Sequence, residues 1–181
     1  MANRWLMDGS FSYNDAIVHY PVGSYTDPTN ILQRNGYQYD YLTSGSGLGN
    51  VYINSKWLFK MSGLYELPGN FRVSAFYNAR QGYPFERFVQ SPSRANGAGQ
   101  VNVLLDNVGE SRLPNFQNLD FHAERPISLE SVKIVPSIDL FNVANSNTTQ
   151  AIRGTQNASN ANQIQALVAP RVLRAGFRVS W

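Results

Sequence analysis

The chain of 181 residues has no cysteine, which excludes disulfides and thiolate metal sites. Charge is sparse as well. Asp, Glu, Lys and Arg make up 15% of the residues, against roughly 25% in an ordinary globular domain. The formal charge is only +3, and no block of five or more Lys or Arg occurs. That pattern argues against a nucleic-acid surface. No apolar run approaches the ~20 residues that a membrane-spanning helix needs. The first residues, Met1 to Leu6, lack a basic stretch followed by an apolar one, so no secretory leader is expected there. If the protein is exported, its leader lies upstream and the chain is expected to be a fragment.

Aromatics, by contrast, are plentiful. They reach 13%, with ten Tyr, ten Phe and three Trp, and Asn occurs 19 times. Yet the mean hydropathy is negative, at -0.32. A chain poor in charge, rich in aromatics and not hydrophobic on average fits strands whose two faces meet different solvents, because the two rows average out.

Six segments alternate with period two, the strand signature. They lie near residues 3–14, 54–67, 70–82, 115–126, 131–143 and 170–181. In the first, Trp5, Met7, Gly9, Phe11 and Tyr13 share one face. In the second, Trp57, Phe59, Met61, Gly63, Tyr65 and Leu67 do so. The third row is Phe71, Val73, Ala75, Tyr77 and Ala79; the fourth is Leu119, Phe121 and Ala123. The fifth is Val132, Ile134, Pro136, Ile138 and Leu140. The sixth is Leu173, Ala175, Phe177, Val179 and Trp181. The opposite rows carry the charge, among them Arg72, Arg80, His122, Glu124, Asp139, Arg174 and Arg178. Pro136 lacks a ladder donor, and a bulge is expected there.

The connections alternate between short and long. Pro68-Gly69-Asn70 joins the second and third segments, and a turn near Pro126 to Ser131 joins the fourth and fifth. The remaining three run near residues 15–53, 83–114 and 144–168 and are rich in Gly, Ser, Asn, Pro and Thr. Compact domains rarely carry three such loops. Outer-membrane barrels do, with short turns on one side and long loops on the other. The expected fold is therefore all-β, an antiparallel up-and-down meander of about six transmembrane strands. Each row of about 9–11 tilted residues suffices to cross an apolar band. The aromatics fall at strand ends as an interfacial girdle would. Trp5, Tyr65, Phe71 and Trp181 lie toward the short turns; Tyr13, Trp57 and Tyr77 lie toward the long connections.

His122 stands two residues from Asp120 and from Glu124, a triplet that polar strand rows produce routinely, and no metal site is assigned to it or to His19. Gly45-Ser46-Gly47-Leu48-Gly49 lacks the strand before and helix after that a phosphate loop needs. No nucleophile elbow or catalytic triad stands out, so no catalytic residue, cofactor or enzymatic activity is expected. Asn147-Thr148-Thr149 and Asn157-Ala158-Ser159 match glycosylation acceptors but read as loop composition. Arg72, Arg80, Arg174 and Arg178 form either a basic lumen for anionic ligands or ordinary paired charge, with pairing favoured. Tyr37, Tyr39 and Tyr41 alternate in the first long connection, either as a platform for flat ligands or as an extension of the second strand's hairpin.

Several stretches resemble a known family. "SAFYNARQGYPF", "RLPNFQNLDFHAERPIS", "VKIVPSIDLFNVANSNT" and "APRVLRAGFRVSW" are similar to the wall and closing strands of TonB-dependent receptors, above all the Oar-like group with a carboxypeptidase-regulatory-like domain. Leu140-Phe141-Asn142-Val143-Ala144-Asn145 is the most distinctive piece. Leu173, Phe177, Val179 and Trp181 also resemble the terminal signal read by the bacterial barrel-assembly machinery. The resemblance implies a barrel of about 22 strands with an N-terminal plug, in the outer membrane of a Gram-negative bacterium, importing a scarce ligand such as a carbohydrate or siderophore-like compound. It implies outer-membrane lipid, lipopolysaccharide, the rest of the barrel with its plug, and TonB as partners. The chain carries neither plug nor energy-coupling box, so it is expected to be an incomplete piece: an open curved sheet with two unpaired edges. Two alternatives stay open at this point: a soluble β-sandwich or lectin-like module, and another outer-membrane barrel such as a porin or adhesin.

Overall fold

The computed structural model describes residues 4–14, 55–85, 87–93, 95, 100, 105–106 and 110–181, and the backbone alone of 17–19, 37–39 and 102–104. The described residues are all-β, with no helix. The strands are β1 (Trp5–Tyr13), β2 (Ile17–His19), β3 (Tyr37–Tyr39), β4 (Trp57–Leu67), β5 (Phe71–Arg80), β6 (Phe88–Gln90), β7 (Asn102–Leu104), β8 (Phe116–Glu124), β9 (Ile127–Leu129), β10 (Val132–Phe141), β11 (Thr149–Ile152), β12 (Ile164–Leu167) and β13 (Val172–Ser180). One antiparallel sheet runs in the order β1-β4-β5-β8-β10-β13, and β9 also pairs with β10. Each of the six alternating segments supplies one strand of that path. Among the described residues β1 and β13 each have one hydrogen-bonded neighbour, so the sheet is open with two free edges.

Register decides what the sheet presents. Trp5 pairs with Tyr65, Gly9 with Met61 and Tyr13 with Trp57. Tyr65 pairs in turn with Val73, and Met61 with Tyr77. The chain of pairs continues through Ala75 with Phe121, Phe121 with Leu140 and Leu140 with Leu173. All six apolar rows therefore fall on one face. Nothing among the described residues covers that face. Phe11 is 65% exposed, Ile138 52% and Phe177 77%. Of the hydrophobic side chains described, only Ala79, Leu113 and Val135 are buried.

The short turns are tight. Leu67 pairs with Phe71 across Pro68-Gly69-Asn70, where Gly69 (φ 81°) and Asn70 (φ 62°) take the left-handed conformation that Gly and Asn tolerate best. The second turn is shorter than expected. β9 extends the fourth segment to Leu129, which pairs with Val132, leaving Glu130 and Ser131 as the turn.

The bulge expected at Pro136 is absent. β10 and β13 stay in unbroken register from Lys133–Ser180 to Phe141–Val172, with Pro136 opposite Phe177. The Pro136 carbonyl accepts from the Arg125 amide at 3.1 Å, on the side of β8 and β9. In an antiparallel ladder a residue's N–H and C=O point to the same neighbour. The donor that Pro136 lacks thus faces Arg125, so its loss breaks the strand between β8 and β9 and leaves the β13 ladder intact.

The long connections fold back on themselves. β2 pairs with β3, β6 with β7 and β11 with β12. Above β5 and β8 the ladder resumes in the same register, with a bridge between Pro84 and Arg112. Gly82 makes that passage possible. A Cβ there would overlap the carbonyl carbon and oxygen of Leu113, a backbone obstacle that cannot rotate away. Gly82→Ala is expected to lower stability by about 1–3 kcal/mol in urea unfolding followed by circular dichroism. Gly63→Ala meets only ordinary contacts, and its change should stay within about 0.5 kcal/mol.

Candidate functional site

The polar face gathers the charged side chains that the alternation assigned to it. Cross-strand neighbours place opposite charges side by side. Arg72 stands directly across from Glu66 on β4 and Glu124 on β8. Its Nε lies 3.2 Å from the Glu66 carboxylate and one Nη 3.4 Å from that of Glu124. Asp139 stands across from His122 on one side and Arg174 on the other. One of its oxygens lies 2.7 Å from His122 Nδ1 and the other 2.9 Å from Arg174 Nε. Glu124 joins the two halves, 3.8 Å from His122 Nε2 and 3.9 Å from Arg178. The result is one continuous ladder, Glu66–Arg72–Glu124–His122–Asp139–Arg174, with Arg178 at its flank.

Three acidic and three arginine side chains balance in this ladder, with His122 between them. Most of the arginines are well exposed, Arg178 at 74% of its side chain. Such pairs contribute at most about 1 kcal/mol each. The ladder therefore orders the face without holding the sheet together. Asp120 stands apart from it, accepting from Asn118 Nδ2 and from the Asn142 amide, both at 2.8 Å. His122, Asp120 and Glu124 do not converge on one point, since Asp139 engages His122 instead. A groove of about 260 Å³ crosses this face, lined by Leu6, Ser62, Phe76, His122 and Asp139 among others. Residues of five strands line this one hollow.

Arg80 behaves differently. Its guanidinium lies 3.6 Å from the Tyr83 ring centroid and 5.0 Å from that of Phe116. One Nη donates to Gln150 Oε1 at 2.8 Å. Arg80 thus ties the end of β5 to β11 in another connection. The two connections meet again through backbone. Phe88 donates to the Gly154 carbonyl at 3.0 Å and its own carbonyl accepts from Gln156 at 2.8 Å. Asn157 completes the seam with its amide, bonding both the N–H and the C=O of Gln90.

The stretch from Leu140 to Asn145 forms a knot at the end of β10. Asn142 is 4% exposed and takes φ 51°. Its Nδ2 donates to the carbonyls of Ser146 and Ala169 at 2.9 and 2.8 Å, and its Oδ1 accepts from the Ser146 amide at 2.8 Å. Asn145, at φ 51°, accepts from the Arg171 amide at 3.0 Å. These bonds fix where the chain leaves β10 and where it enters β13.

The aromatic positions hold their places at the strand ends. Trp5 and Tyr65 are cross-strand neighbours near the short-turn end, and Tyr13 and Trp57 at the other. Phe71 closes the first short turn. The Tyr77 hydroxyl donates to Gln117, toward the long connections. Leu173, Phe177 and Val179 share the outer row of β13, 69%, 77% and 41% exposed, and Trp181 follows at 95%. Tyr37 and Tyr39 lie opposite His19 and Ile17 in the β2–β3 hairpin. That hairpin pairs within its own connection. Tyr41 and Gly45 to Gly49 lie outside the described residues, as do the side chains of His19, Tyr37 and Tyr39.

Sequence reasoning missed Arg125. It continues the outer row of β8 beyond Ala123, its guanidinium carbon 4.8 Å from the Phe71 ring centroid and its Nε donating to the Gly69 carbonyl at 3.3 Å. Extending the alternation by two residues finds it. Comparison with family models, with curated proteins and with solved structures found no match to this chain.

Asn142→Ala is expected to lower stability by roughly 2–4 kcal/mol, because it strands buried backbone groups on both sides of the knot. Asn142→Gly retains the left-handed backbone and should still lose most of that amount. Equal stability of Asn142→Gly and the parent in denaturant titration would show that the conformation matters and the amide bonds do not.

Proposed function

We propose that this chain is a wall segment of a larger outer-membrane β-barrel, of the TonB-dependent receptor type and Oar-like in kind, that imports a scarce ligand into a Gram-negative bacterium. One observation carries the membrane part of this reading: register brings six apolar rows onto a single uncovered face. Leaving a large side chain half exposed to water forgoes roughly 1 kcal/mol. Over the more than a dozen such residues on this face the loss reaches on the order of 10–20 kcal/mol, as large as the stability of an ordinary domain. Hydrocarbon removes that penalty. The strands of the main path, 9, 11, 10, 9, 10 and 9 residues long, have the length of tilted membrane strands. No charge falls within their outer rows.

The free edges of β1 and β13 support membership of a larger sheet. Lipid does not tolerate unpaired backbone, so further strands of the same barrel satisfy both edges. The polar face then looks inward to the plug or channel water. The transport half of the proposal rests on the resemblance of the segments quoted above, with Leu140 to Asn145 the most distinctive. On this reading the partners are outer-membrane lipid and lipopolysaccharide, the remaining barrel and its plug, the assembly machinery that reads Leu173 to Trp181, and TonB through a region outside these residues. The segment contributes wall and loops and carries no catalytic role.

The absence of cysteine makes single-site labelling direct. Nitroxides at Phe121 and Ile138 in lipid vesicles should be relaxed by oxygen and shielded from a water-soluble nickel complex. Labels at Ser74 and Ser137 should show the reverse. Equal nickel accessibility at all four sites would favour a water-exposed sheet. Phe121→Arg should cost roughly 2–4 kcal/mol in vesicles, while Ser74→Arg stays near neutral. For the transport half, the reading frame around the chain should encode a plug and an energy-coupling box; a frame without them would remove the receptor assignment.

A further inference from the structure

Two arginines continue the outer rows beyond their ends: Arg125 past β8 and Arg171 before β13. Their partners set them apart from three of the inward arginines, Arg72, Arg174 and Arg178. Arg72, Arg174 and Arg178 each lie within 4 Å of a carboxylate. Among the described residues no carboxylate lies within ion-pair distance of Arg125 or Arg171. Each instead gives one donor to a nearby carbonyl, Arg125 to Gly69 and Arg171 to Val143, both at 3.3 Å. Those bonds hold the guanidinium in place and leave other N–H groups unspent.

The two sit at opposite ends of the outer face. Arg125 is bonded across to Pro136, and Pro136 pairs with Phe177. Arg171 lies six positions from Phe177 along the β13 direction. At ~3.3 Å per residue this is roughly 20 Å along the strand, on the scale of the ~25 Å apolar band of such a wall. A guanidinium is a planar fork of donors that matches phosphate oxygens, and long cationic side chains at the rim of an apolar face reach for the headgroup layer. At Arg125 the Phe71 ring, an interfacial aromatic, lies 4.8 Å from the guanidinium carbon.

Resting on the membrane-wall reading, we infer that Arg125 and Arg171 each bind the phosphate of an anionic lipid headgroup, one at either edge of the apolar band. Arg72, Arg174 and Arg178 are neutralised within the protein; these two are neutralised by lipid.

The test combines two measurements on the full 181-residue chain. Flotation with phosphatidylcholine vesicles reports membrane association. Native mass spectrometry in nonionic micelles titrated with phosphatidylglycerol reports headgroup binding, with strand content checked by circular dichroism. The parent should float and retain phosphatidylglycerol. Arg125→Gln and Arg171→Gln should each raise the apparent dissociation constant at least threefold, and the double variant at least tenfold. Arg125→Lys should fall between, and Arg178→Gln should match the parent. Unchanged binding in the Gln variants of a floating chain overturns this inference and leaves the membrane reading intact. An equal loss in Arg178→Gln overturns it in favour of unspecific charge. Displacement of the lipid by inorganic phosphate at similar concentration overturns it in favour of a free-phosphate site. A parent that floats and retains no phosphatidylglycerol overturns this inference alone; one with full strand content that neither floats nor binds lipid removes both.

Discussion

The common register of the ladders is the constraint from which the rest of the structure follows. Side chains alternate across a strand, so a slip of one residue in any pair would turn a whole row over. Moving β5 by one against β4 would bring Arg72 beside Tyr65 or Leu67 and Arg80 beside Trp57 or Phe59, and would turn Tyr77 toward the polar face. The register is pinned at both ends of the sheet. Pro68-Gly69-Asn70 and Glu130-Ser131 close it on one side. On the other, Gly82 lets the chain pass against Leu113, and Asn142 ties β10 to the approach of β13. Between these pins the sheet needs no buried core to keep its order.

From that register two faces of opposite chemistry arise. The polar face pairs its charges internally, so it presents balanced charge and not a basic or acidic field. The outer face carries large apolar side chains and no charge within the strands. An ordinary soluble β-sandwich answers an apolar face with a second sheet packed about 10 Å away, and the described residues supply none. A sheet with two open edges and one bare apolar face has three unsatisfied boundaries. Continuation of the sheet would satisfy the edges, and lipid would satisfy the face, which is why the wall reading accounts for more of the molecule than a self-contained module does.

The elements most legible in the sequence were those governed by local alternation. The six apolar rows, the Pro68-Gly69-Asn70 turn and the aromatic strand ends follow from period two and turn chemistry. What escaped depends on which neighbour a group faces. Pro136 suggests a bulge because a missing donor harms a ladder, yet the missing donor faces Arg125, so its loss falls at the break between β8 and β9 and spares the β13 ladder. Arg125 was overlooked because the row was ended at Ala123, before the alternation ran out. The hairpins inside the long connections carry little periodic signal, since strands of three or four residues show no more than one alternation. Asn142 looked like part of a resemblance; its buried amide, bonded to Ser146 and Ala169, gives it a physical reason.

The connections after β5 and β10 show how loops can be held to one another by backbone hydrogen bonds. The connections are rich in Gly, Ser, Asn and Thr, residues with little apolar surface to pack. Yet the connection after β5 and the one after β10 are joined by the Phe88 amide and carbonyl bonding Gly154 and Gln156. Backbone groups of this kind are present whatever side chain the position carries. Asn157 copies the same pattern with its side-chain amide, and Arg80 fastens the layer to the wall beneath. A layer held in this way can change most of its side chains without losing its geometry. Register and two pinned ends preserve the sheet, and the side chains above it do not carry its order.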